Sequence, residues 1–200
     1  MRFSGSKPGF CGKVSRSLLC LAATAASIPH AQAAFHLWSI KEIYSDSSGH
    51  LQFIELTDSV GFQNFVGSQQ IQVMNIGASI THTFTLSSAT LPGNTLNHSL
   101  LFGTAGLQAA GGPTPDYIIP DNFLFSAGGS VSFFGANSGP YTALPTDGVN
   151  SRTWGDGNAA NSPMNYGGQT GFVVAPEPSA LALLGIGCLA ALARRRNPGL

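Results

Sequence analysis

Between residues 34 and 175 the chain has no cysteine: Cys11 and Cys20 lie before that stretch and Cys188 after it. That excludes disulfide staples and thiolate metal sites, so the middle must hold by packing and strand pairing. Basic residues are nearly as scarce there. Seven of nine sit at the ends (Arg2, Lys7, Lys13, Arg16, Arg194, Arg195, Arg196), leaving Lys41 and Arg152 against eight acids, a net charge of −6. A domain that acidic has no electrostatic footprint for nucleic acid. Catalytic signatures are missing too. There is no Gly-x-Ser-x-Gly elbow and no His-Glu-x-x-His motif, and His36, His50, His82 and His98 are scattered without metal-ligand spacing. The expectation is a non-enzymatic protein with no catalytic residue and no cofactor.

What is present is most specific at the two ends. A basic stretch ending at Arg16 leads into an apolar run from Leu18 to Ile28, and Ala31-Gln32-Ala33 supplies small residues at both positions a signal peptidase reads. Residues 1–33 are read as a signal peptide with a signal helix, cut after Ala33, with the Sec translocon and signal peptidase as partners. At the other end Pro176-Glu177-Pro178 precedes an apolar stretch, residues 179–193, and then Arg194, Arg195 and Arg196. The prolines stop any preceding strand. As a transmembrane helix the fifteen apolar residues would span roughly 22 Å, short of the ~30 Å hydrocarbon layer, a gap that snorkelling arginines and local thinning can narrow. Arginines on the cytoplasmic side place the domain outside.

The order of triplet, short apolar helix and arginine cluster resembles the PEP-CTERM sorting signal of Gram-negative bacteria. The resemblance covers residues 175–196. It implies recognition and cleavage near the triplet by an exosortase, a membrane-embedded cysteine transpeptidase-like enzyme, in bacteria that make extracellular polysaccharide and biofilm. The implied localisation is export, transient membrane anchoring, then the cell surface or matrix, with polysaccharide as a candidate partner.

Residues 34–175 read as one β-rich domain. Short β-branched and aromatic stretches, broken by Gly, Pro, Asn and Ser, predict strands at His36–Tyr44, Leu51–Thr57, Gln69–Met74, Ser79–Leu86, Ser99–Gly103, Tyr117–Ile119, Ser130–Phe134 and Phe172–Val174. Asp46-Ser47-Ser48-Gly49 is the expected hairpin turn, and Leu51–Leu56 is apolar on both faces, as in a central strand. The fold class is all-β: an antiparallel immunoglobulin-like sandwich, with a jelly roll as the second architecture. Ile40–Ile43, Gln52–Thr57, Phe65–Gly67, Phe84–Leu86, Leu91–Gly93 and Leu100–Phe102 resemble the lamin-tail family over residues 38–106. That likeness implies an interaction or scaffolding module and carries over no catalytic residue.

Four constellations invite chemistry. A hairpin centred on Ser47-Ser48 sets Glu42 against Phe53 and Glu55 against Ile40, diagonal neighbours on one face, where two carboxylates could share acid and base work on a glycosidic bond. Asp147, Asp156 and Asn158 could supply oxygens to calcium, giving a calcium-stabilised adhesin, or form an ordinary Asp/Asn/Gly loop. Thr81, Thr83 and Thr85 form one hydroxyl ladder. Trp154 and Tyr166, in a polar stretch, could stack on sugar or pin a long loop to the core.

Overall fold

The computed structural model describes Met1, Arg2, Gly5 and residues 36–87, 90–133, 137–155 and 157–175. The chain divides into two units, Met1–Gln32 and Ala33–Leu200, and all elements below belong to the second. Ala31, Ala33, Pro176, Glu177, Pro178, the 179–193 stretch, Arg194, Arg195 and Arg196 lie outside the described residues, as does Asp156.

Ten strands form: β1 (Trp38–Ser45), β2 (Gln52–Asp58), β3 (Gln70–Asn75), β4 (Thr81–Thr85), β5 (Ser99–Gly103), β6 (Tyr117–Ile118), β7 (Gly129–Phe133), β8 (Asn137–Tyr141), β9 (Asn150–Thr153) and β10 (Gly157–Ala160). They make two sheets, a six-stranded one ordered β10-β9-β1-β2-β5-β6 and a four-stranded one ordered β4-β3-β7-β8. Among the described residues there is no helix. The fold is all-β and consistent with a β-sandwich.

The β1–β2 hairpin turns where expected. Asp46 accepts hydrogen bonds from Leu51 N (3.1 Å) and Ser48 Oγ, and Gly49 takes a positive φ of 72°. A Cβ at Gly49 would also fall 2.2 Å from Asn122 Oδ1, so glycine is required there on two counts.

The expected register changes at Lys41. Ile40 pairs with Leu56 and Glu42 with Glu55, leaving Lys41 as a bulge. The extra residue re-phases the strand, which puts Ile40 and Ile43, three apart, on the same buried face. Glu42 and Glu55 therefore stand directly opposite each other, not as diagonal neighbours.

The core fills the space between the sheets. Trp38, Ile40, Ile43, Ile54, Leu56, Leu100 and Phe102 meet Ile71, Val73, Val131 and Phe133 from the other side. Burial of each such side chain contributes about 1.5–3 kcal/mol. Both β2 and β5 are buried on both faces, because the outer face of the six-stranded sheet is covered as well. There Tyr44, Phe53 and Leu101 pack under Leu107 and Val173.

The predicted strand at Phe172–Val174 is instead an extended cover. Phe172 N donates to Gly111 O (3.2 Å) and Val174 N to Ala110 O (3.0 Å), joining the segment to a turn, not to a sheet. A Cβ on Gly111 would lie 2.5 Å from Phe172 O, so the close approach needs glycine. The strands β8, β9 and β10 were not anticipated, and the stretch from 114 to 171 contains them all.

Candidate functional site

The carboxylate pair is buried in the six-stranded sheet. Glu55 is 0% and Glu42 3% exposed. Glu42 Oε1 accepts from Ser151 Oγ on β9 and from Ser162 N (3.0 Å), just beyond β10. Glu55 Oε1 accepts from Lys41 Nζ (2.8 Å) and Ser99 Oγ (2.6 Å), while its Oε2 is buried without a partner. Burial pushes the Glu55 carboxyl above the usual range, opposed by Lys41 and Ser99 and reinforced by the charge of Glu42. The pair joins β1, β2, β5, β9 and the segment after β10 at one point.

Of the calcium candidates, Asp147 and Asn158 lie among the described residues. Asp147 Oδ1 accepts from Val149 N (3.0 Å) and Asn150 N (2.7 Å), and Oδ2 accepts from Asn150 Nδ2 (2.5 Å). That is an Asp-capped turn, and these amides hold the Asp147 carboxyl below its ordinary value. Asn158 lies on β10, across from Arg152.

Thr81, Thr83 and Thr85 are all exposed on β4, at the edge of the four-stranded sheet. The register extends their row. Thr83 aligns with Gln72, Gln72 with Ser132, and Ser132 with Ser138. The outward positions Gln70, Gln72, Met74, Thr81, Thr83, Thr85, Ser130, Ser132, Ser138 and Pro140 carry no charge.

The two singled-out aromatics part company. Tyr166 pins a loop: its hydroxyl donates to Pro92 O (2.5 Å) and its ring stacks on His98 at 4.5 Å. Trp154 stays half-buried and lines a cleft of about 360 Å³ together with Tyr141, Thr142, Arg152 and Thr153. The indole lies over Gly139, where a Cβ would come within 2.7 Å of the ring. Burial raises the Tyr141 hydroxyl to about 12, against the opposing bond with Phe125, so it stays protonated at any ordinary pH. Sequence reasoning singled out Trp154 but not Arg152 beside it, because β8 and β9 leave no alternating pattern to announce that they meet.

Residues 174–197 match the PEP-CTERM protein-sorting motif. The motif implies an exported protein sorted to the cell surface, with exosortase as its processing enzyme. No curated protein and no solved structure matches the chain, and the comparisons lend no support to the lamin-tail resemblance.

Proposed function

We propose that the chain is a non-catalytic surface or matrix protein, delivered through its C-terminal motif, whose sandwich binds extracellular polysaccharide. The observation that carries the reading is the sorting motif at 174–197, which follows directly on a compact acidic β-domain. The sealed carboxylates support the non-catalytic part. A hydrolase needs its acid and base in contact with substrate and a water, whereas Glu42 and Glu55 are buried and bonded to the surrounding strands. The uncharged hydroxyl and amide face of the four-stranded sheet suits contact with hydroxyl-rich chains.

We infer further that β1-β2-β5 opposing β4-β3-β7-β8 is an immunoglobulin-like arrangement. Support comes from the connectivity: the chain crosses between sheets from β2 to β3, back from β4 to β5, and again before β7.

The delivery claim is tested by fractionating cells that carry the intact chain or one with Pro176→Ala, Glu177→Ala and Pro178→Ala combined. The expected result is loss of surface delivery and membrane retention of the uncut form. Identical distribution of both forms would overturn it.

A further inference from the structure

Six strands face four, and the surplus lies at one flank. β8 is the edge of the smaller sheet and packs over β1, so β9 and β10 project past it. The cleft lies where that projecting hairpin meets the β8 edge. Arg152 pairs with Ile43, so its side chain leaves the sheet on the inter-sheet side, into this flank.

Arg152 and Lys41 are the two cations between residues 34 and 175. Lys41 is committed to Glu55 at 2.8 Å. Arg152 makes one long bond, from Nη2 to Ala143 O at 3.4 Å, its Nε is buried without a partner, and it has no ion pair among the described residues. An unpaired guanidinium in a net-negative domain is an anion subsite in a field that otherwise repels anions. Beside it stands the indole of Trp154, flush with Gly139, and the hydroxyls of Thr142 and Thr153. Gly155 and Gly157 complete the lining, and the cleft is open to solvent on one side.

From this juxtaposition we propose that the cleft binds one uronate-type residue of an acidic polysaccharide, its carboxylate on the Arg152 guanidinium and its ring against Trp154. A fork of N–H donors matches a carboxylate, a flat aromatic face matches a sugar ring, and an open-ended groove admits an interior unit of a polymer. The proposal rests on the polysaccharide-binding reading above and names the class of sugar.

The test uses the full-length chain in detergent, with polygalacturonate as the acidic probe and dextran as the neutral one. Arg152→Gln should weaken polygalacturonate binding at least tenfold. Trp154→Ala should weaken it by a similar factor, with both variants still folded by circular dichroism at the binding temperature. Added salt should weaken the parent's binding and leave that of Arg152→Gln nearly unchanged. Undiminished binding by both variants would overturn the site while leaving the polysaccharide reading intact. Failure of the parent to bind either polymer would overturn both.

Discussion

Glu42 and Glu55 face each other across the β1–β2 ladder, and both are buried. Two acids so placed act as tie points. Glu42→Ala removes the acceptor for Ser151 Oγ and Ser162 N and leaves the buried Ser151 hydroxyl without that partner. The expected loss is about 2 kcal/mol of unfolding free energy, with faster hydrogen exchange at Ser162. Glu42→Gln keeps an acceptor oxygen and should lose less than half as much. Equal losses in denaturant titrations would show that the acceptor role is wrong.

Burial raises the carboxyls of Glu55 and Asp116 above their unfolded values, and hydrogen bonding to Asp121 raises the His50 imidazole. For each, the stabilising contribution is full below the unfolded pKa and is lost as pH rises through the folded one. Asp147 runs the other way, its contribution present above the unfolded value and lost as pH falls. The domain should therefore resist denaturant better at about pH 5 than at about pH 8. Glu55→Gln should flatten that slope. A slope that is unchanged in the variant would assign the effect elsewhere.

Glycines separate into two kinds by what surrounds them. A Cβ at Gly129 would sit 2.0 Å from Met74 O, at the end of the β3–β7 ladder, whereas one at Gly77 meets nothing within 4 Å and only its φ of 85° is strained. Gly129→Ala should cost about 3 kcal/mol or more and Gly77→Ala about 1 kcal/mol. Thermal melts of the pair check the order.

Gly139→Ala forces the Trp154 ring outward from a 2.7 Å clash. Trp38 is fully buried, so any change in tryptophan emission reports on Trp154. A red shift is expected, with about 1–2 kcal/mol of destabilisation. An unmoved spectrum would mean that the ring already stands clear of β8.

Asp147 spends its oxygens on Val149 and Asn150. Millimolar calcium or a chelator should leave the melting temperature where it was, since a ligand that does not bind the native state cannot shift it. A rise with calcium would restore the adhesin reading.

The sequence announces those parts of the fold whose side chains are sorted by the sheet they enter. β1, β2 and β5 are rich in Ile, Leu and Phe because both faces of their sheet are covered, and their apolar runs are visible by eye. β8, β9 and β10, with sequences such as Asn137-Ser-Gly-Pro-Tyr141, are strands because a neighbouring edge offers backbone partners, and their own residues do not show it. The carboxylate pair was legible from the hairpin turn, but its exact opposition was not. The bulge at Lys41 leaves only the three-residue spacing of Ile40 and Ile43 as a trace. Arg152 escaped notice for the same reason as its strand.

The extended cover is stitched down along its whole described length. The backbone amides of Phe172, Val173, Val174 and Ala175 donate in turn to Gly111 O, Asn161 Oδ1, Ala110 O and Gly148 O. No residue of that hem hangs loose, so peeling it from the sheet face must break four bonds in succession and uncover Tyr44, Phe53 and Leu101 as it goes.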